Sequence, residues 1–219
     1  MRLSPMIAGL LLSCSALAQT PAPQQPPPPP PLVNPVQARL NAIAGDPVAL
    51  RQAVDAGKKV TFFCVNCHGE NGISKIPEVP NLAGQNPAYL LEQIRKFGAG
   101  ERKYPFMEGL IKVLKDEERL QAAHYYASIP VPPSPADPAL AARGKALFTK
   151  LCVRCHGAQA RGGELYPRLA GQQIPYLQVS IQRYRDVTGI RNNQLMAIAT
   201  SVLKNDDITA IANYLTQLP

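Results

Sequence analysis

The hexapeptide CVNCHG at residues 64–69 returns as CVRCHG at residues 152–157, eighty-eight positions later. The copy is not confined to that motif. PNLAGQNPAYL (80–90) matches PRLAGQQIPYL (167–177) at an offset of 87, and HYYASIP (124–130) aligns with NYLTQLP (213–219) at an offset of 89. A chain carrying such a repeat is constrained to fold as two like units of roughly 80 to 95 residues each. Units of that size bury only a modest fraction of their surface, so many need a disulfide, a metal or a bound group to complete a core.

Each unit reads as helical. Asp46-Pro47 and Asp137-Pro138 both place a capping carboxylate before a proline at the first helical position. From Asp137 onward, Leu140, Gly144, Leu147 and Leu151 form one stripe that delivers Cys152 at the helix end. Leu90, Ile94 and Phe97 share the spacing of Leu177, Ile181 and Tyr184, and Ile208, Ile211, Ala212 and Leu215 mark a last helix. Little β-type alternation occurs anywhere. The helix before Cys64 is expected to be three residues longer than the one before Cys152, counted from each Asp-Pro.

The chemistry is restricted by what the chain does not contain. Of five cysteines, Cys14 lies near the N-terminus and the others, Cys64, Cys67, Cys152 and Cys155, all sit in the repeated motifs. Zinc would need two more ligands at each site, and a redox disulfide of the thioredoxin kind would sit in a βαβ setting; neither is present. A histidine directly after Cys-x-x-Cys is the signature of covalent c-type haem attachment, so two covalently bound haem c groups are expected, on Cys64, Cys67 and His68 and on Cys152, Cys155 and His156. The porphyrin would then supply the missing apolar core. Beyond Met1 and Met6 the chain has two methionines, Met107 and Met196, which follow His68 and His156 by 39 and 40 residues. That equivalence marks them as the second axial ligands, giving two His/Met iron sites. The remaining histidine, His124, aligns with Asn213, which cannot ligate haem iron, and reads as a surface or hydrogen-bonding residue.

MRLSPMIAGLLLSCSALAQT has one basic residue, an apolar run and Ala16-Leu17-Ala18, the pattern of a secretory signal over residues 1–18. A bacterial periplasm is the expected compartment. LLSC ending at Cys14 resembles a lipoprotein signal weakly, so a membrane tether at Cys14 is the alternative to the favoured soluble form. TPAPQQPPPPPPL places a Pro-rich spacer at residues 19–33, extended at about 3 Å per residue. A second proline-rich break divides an N-terminal domain (34–130) from a C-terminal domain (139–219) through a linker at 131–138. The N-terminal domain carries 12 Lys and Arg against 10 Asp and Glu, net +2; the C-terminal one carries 10 against 4, net +6.

Two units in tandem, each with CxxCHG, a P-x-LAGQ-x-x-x-YL segment and a late methionine, resemble the di-haem cytochrome c4 family from about residue 46 to the C-terminus. The resemblance implies an all-α fold of two class I cytochrome c domains in pseudo-twofold arrangement, with the haems close together. It also implies that the carbonyls of Pro80 and Pro167 accept the Nδ1 hydrogens of His68 and His156. With both axial positions filled, each iron is suited to outer-sphere electron transfer rather than to substrate binding, and Met ligation suits the high-potential end of a respiratory chain. The expectation is an electron carrier and not an enzyme, running from an upstream quinol-oxidising cytochrome complex to a terminal oxidase or another acidic acceptor, with no nucleic-acid partner. An electron-transfer subunit of a periplasmic dehydrogenase complex, flavocytochrome or quinoprotein, is the alternative.

Overall fold

The computed structural model describes residues 35–219, which belong to one compact unit. The expected signal, the Pro-rich spacer and Cys14 lie outside the described residues. Eleven α-helices and no strand occur among the described residues. Six belong to the first half: α1 (Pro35–Gly45), α2 (Pro47–Val60), α3 (Val65–His68), α4 (Pro87–Gly98), α5 (Pro105–Lys112) and α6 (Asp116–Ser128). The second half holds α7 (Pro138–Leu151), α8 (Val153–His156), α9 (Ile174–Arg185), α10 (Gln194–Thr200) and α11 (Asn205–Thr216).

Both Asp-Pro caps form. Asp46 Oδ1 accepts from the backbone N–H groups of Val48 and Ala49, and Asp137 Oδ1 from those of Ala139 and Leu140, which satisfies first-turn donors that have no partner within the helix. The helices they start then cross the last helix of their own half at a glycine. A Cβ at Gly57 would fall 2.7 Å from Tyr125 Cβ on α6, and one at Gly144 2.9 Å from Tyr214 Cβ on α11, so only glycine allows these backbones to meet. Two cores grow around the crossings. One gathers Leu90, Leu91, Leu120, Ala123 and Tyr126, the other Phe148, Leu177, Ile208, Ile211 and Leu215.

Three features differ from the expectations above. The helices before Cys64 and Cys152 are equally long, 14 residues each. The extra residues instead form a 3-10 turn, Thr61–Phe63, which leaves Phe62 and Phe63 stacked on each other and exposed. Helix α1 was not anticipated. It lays Leu40 into the first core and ties Arg39 to Glu117 by an ion pair. His124, expected to be a surface or hydrogen-bonding residue, is buried and hydrogen-bonds the Leu40 backbone, while its Nε2 has no partner.

The halves join through the repeated P-x-LAGQ segment, and the contact is reciprocal. Gln85 donates from Nε2 to Arg168 O (2.9 Å) and accepts from Arg168 N (2.7 Å). Gln172, its counterpart, donates to Asn81 O (3.0 Å) and accepts from Asn81 N (2.9 Å). Asn86 Nδ2 reaches the Gly163 and Tyr166 carbonyls, and the equivalent Gln173 Nε2 reaches those of Ile76 and Val79. Equivalent residues exchanging equivalent bonds is the mark of a twofold relation between the halves.

Candidate functional site

Each Cys-x-x-Cys-His stretch folds as a single helical turn that starts on its first cysteine. In α3, Cys64 O accepts from His68 N (2.8 Å), and in α8, Cys152 O accepts from His156 N (3.0 Å). Gly69 and Gly157 end the turns at φ 79° and 75°, a conformation that L side chains rarely adopt, which explains why a glycine follows each histidine. The turn puts both thiols and the imidazole in one short segment. Burial pushes the Cys64 thiol up and the Cys152 thiol up to about 11.

The imidazoles are oriented from behind. His68 is 8% exposed and His156 4%. Their Nδ1 atoms lie 2.8 Å from Pro80 O and 3.1 Å from Pro167 O. A carbonyl can only accept, so Nδ1 carries the hydrogen and Nε2 keeps its lone pair. Burial holds both histidines below the usual imidazole range, which favours the neutral, ligating form. The structure thus joins each motif histidine to the proline named from the resemblance.

Met107 and Met196 occupy matching places, each the third residue of a short helix, α5 or α10. Both are half-buried. Large apolar side chains beside them, Tyr104, Phe106 and Val113 in the first half and Leu195, Ile198 and Val202 in the second, are exposed on the polypeptide. Among the described residues no group of three or more His, Cys, Asp or Glu is placed to hold a metal ion, which leaves zinc without a ligand set. Neutral imidazoles with paired thiols one turn away fit haem c, one at each motif.

The sequence reading did not single out Arg102, Tyr89, Tyr176 and Arg191, where the halves meet. Arg102 Nη2 donates to Tyr176 OH (3.2 Å) and Arg191 Nη2 to Tyr89 OH (3.1 Å). Their pairwise spacing in the repeat was visible, but a contact that crosses between units leaves no periodic trace within either.

Comparison with known proteins agrees with this chemistry. The Cytochrome c family model matches residues 141–219. The cytochrome c4 of Thiocapsa roseopersicina is 33% identical over 186 residues, covering 80% of this chain and 93% of the relative. A protein described as thiosulfate dehydrogenase electron acceptor, from Thiomonas intermedia, is 31% identical and covers 71% of this chain and 78% of the relative. Among solved structures, reduced recombinant cytochrome c4 from Pseudomonas stutzeri superposes with a TM-score of 0.70 at 31% identity, over 76% of this chain and 98% of that one. With an all-helical fold, a twofold repeat and two CxxCH turns backed by proline carbonyls, the chain belongs to the cytochrome c4 family of di-haem electron carriers.

Proposed function

We propose that this chain is a periplasmic carrier that takes electrons from a quinol-oxidising cytochrome complex and passes them to a terminal oxidase or another acidic acceptor of a respiratory chain. When bound, each haem supplies a one-electron ferric/ferrous couple. The domains at 34–130 and 139–219, joined by the linker at 131–138, hold one haem each. Cys64 and Cys67, and Cys152 and Cys155, form the thioethers. His68 and Met107 ligate one iron, and His156 and Met196 the other. Pro80 and Pro167 keep each imidazole in a single tautomer and orientation, with Nε2 free to ligate a haem iron. Met107 and Met196 would hold the iron as weaker donors than a second imidazole, which would raise the potential and leave no position for a substrate. The N-terminal signal at residues 1–18 would export the chain, which suits a protein whose maturation requires two covalent attachments. No helix among the described residues is long and apolar enough to cross a membrane.

The observation that carries this reading is the pair of buried histidines with Nδ1 committed to a proline carbonyl, set directly after paired thiols in both halves. Replacement of Met107 or Met196 by Ala tests it. The haem should stay attached, because thioethers do not depend on the sixth ligand, while that haem's potential falls and it begins to bind carbon monoxide. Each variant should lose about half of the sulfur-to-iron band of the ferric spectrum and the double variant all of it; a double variant that keeps the band shows that Met ligation is wrong. Ala at Cys64 or Cys155 should instead impair haem attachment.

A second reading is favoured by the thiosulfate dehydrogenase electron acceptor among the relatives: the direct acceptor of a periplasmic dehydrogenase. Stable co-purification with a catalytic dehydrogenase chain would favour it over the free carrier.

A further inference from the structure

The two LAGQ turns face one side chain. Gly84 and Gly171, 87 positions apart in the repeat, close their turns at φ 61° and 70°. Each turn is held to the end of its own half, Gly84 N donating to Tyr126 O (2.8 Å) and Gly171 N to Leu215 O (2.9 Å). A Cβ on Gly84 would fall 2.4 Å from Val131 Cγ2, and one on Gly171 would fall 2.3 Å from Val131 Cγ1. The two methyls of a single valine therefore occupy the places that side chains of the two turns would take. The surroundings match as well. The first Cβ would next meet Ile129 O at 3.4 Å and the second Leu218 O at 3.5 Å, and Ile129 and Leu218 are equivalent in the repeat.

Val131 lies in the segment that leads from one half to the other, and that segment is fastened on both sides of it. Before it, Ile129 packs on the first core and its N–H donates to Tyr126 O (3.3 Å). After it, Ser134 N donates to Thr216 O (2.9 Å) and Asp137 N to Asn213 Oδ1 (3.1 Å), both acceptors on α11. Pro132, Pro133 and Pro135 fix φ along the stretch between. Those prolines are exposed, whereas Val131 is half-buried. A β-branched side chain has few rotamers open to it, so its two methyls stand in set directions. The glutamine rings of LAGQ cross the same junction, but hydrogen bonds tolerate a range of lengths and angles. A methyl packed against a backbone does not, because closer approach is repulsive and a small gap forfeits the contact.

We propose that Val131 is a positioning residue for electron transfer between the two haems: wedged between equivalent turns, it sets the separation and angle of the halves. This rests on the two-haem reading, in which one iron passes from ferrous to ferric as the other passes from ferric to ferrous. The segment 131–138 is then a spacer of fixed shape rather than a flexible tether, and one residue of it governs how far the electron must cross.

The test follows that crossing directly. Oxidised holoprotein is given one electron by a photoreduced flavin, and the later spectral change whose rate is independent of protein concentration reports equilibration between the haems. Val131→Thr, which keeps the branched shape, should equilibrate as wild type does. Val131→Ala removes both methyls and should slow the step several-fold. Gly171→Ala should slow it too, by forcing the turn off Cγ1. Combined with Val131→Ala, its new Cβ would lie 3.5 Å from the Cβ of residue 131, an ordinary contact, so the double variant should equilibrate faster than either single one. Should Gly171→Ala fail to mature, Gly84→Ala takes its place. Haem content is measured for each protein. A wild type with fewer than two haems, or one whose equilibration scales with protein concentration, refutes the two-haem reading and the proposal with it. Two-haem Val131→Ala and Gly171→Ala proteins that unfold more easily yet equilibrate at the wild-type rate overturn the positioning role alone, because Val131 would then serve stability only.

Discussion

The join between the halves can be weakened by one atom group at a time. Gln172 is 6% exposed and its amide closes a two-bond ring with the Asn81 backbone, accepting from N at 2.9 Å and donating to O at 3.0 Å. Truncation in Gln172→Ala deletes both bonds, at about 1 kcal/mol each. It also strands the Asn81 N–H in a buried place, which adds about 1–3 kcal/mol. A loss of roughly 3–5 kcal/mol follows, a large share of the about 5–15 kcal/mol that holds a domain folded. The mirror change, Gln85→Ala, breaks the ring with Arg168 N (2.7 Å) and O (2.9 Å), but Arg168 is only half-buried, so water can replace part of it and about 2 kcal/mol is expected. Gln172→Glu keeps the acceptor and turns the donor into an oxygen facing Asn81 O, so at neutral pH it should cost at least as much as Ala. Guanidinium unfolding followed at each haem is the assay. Wild type should lose both halves in one transition, and Gln172→Ala should split it in two. A cost under about 1 kcal/mol with undivided unfolding would show that the amide rings do not hold the halves together.

Further changes test other parts of the structure. Gly144→Ala would drive a Cβ to 2.5 Å from the Ala210 carbonyl carbon on α11, so it should cost about 3 kcal/mol or more in thermal unfolding despite the better helix propensity of Ala, whereas Gly109→Ala in α5, with nothing within 4 Å, should stabilise by up to about 1 kcal/mol. Burial lowers the His124 pKa, so the unfolded chain takes up a proton first and stability should decline as pH falls below about 6.5; His124→Asn, the residue its counterpart carries, should reduce that decline when unfolding is compared at pH 5 and pH 7. The net +6 of residues 139–219 against +2 of residues 34–130 should give the C-terminal haem the higher potential at low ionic strength, with the difference shrinking in salt, so that electrons pass from the N-terminal haem to the C-terminal one; a higher N-terminal wave would refute that direction.

Much of this was legible before any coordinates, because the features concerned are local. Asp46 and Asp137 announce their caps through the proline that follows. The repeat gave away two like units, and the resemblance it carried named Pro80 and Pro167. What escaped depends on contact between distant segments. Helix α1 follows a polyproline run in the sequence, and its apolar positions, Val36, Leu40 and Ile43, are too few to stand out; it is held by packing on the first core, against α4 and α6, more than by its own periodicity. The glutamines of LAGQ were visible as repetition, but each unit read alone supplies no partner for them. The miscounted helix has the same origin. The crossing glycine falls eleven residues after Asp46 yet seven after Asp137, and where a helix must cross its partner is a tertiary fact.

The twofold relation is also broken at particular places, and the breaks bear on function. Four residues after the crossing glycine the second half has Phe148, fully buried against the Tyr214 ring at 5.5 Å. The first half has Thr61 there, its hydroxyl turned back to donate to Gly57 O (2.8 Å), and the aromatic bulk moves to the exposed Phe62 and Phe63 just before the haem cysteines. His124 stands where the other half has Asn213, and half-buried Arg102 where the other has buried Arg191. A guanidinium withdrawn from water acts more strongly on nearby charge than one that solvent screens. Two identical units would set two equal potentials and give an electron no preferred direction. Each of these differences changes polarity or burial in one half and not the other, so any preferred direction of electron flow would have to come from the positions where the repeat fails.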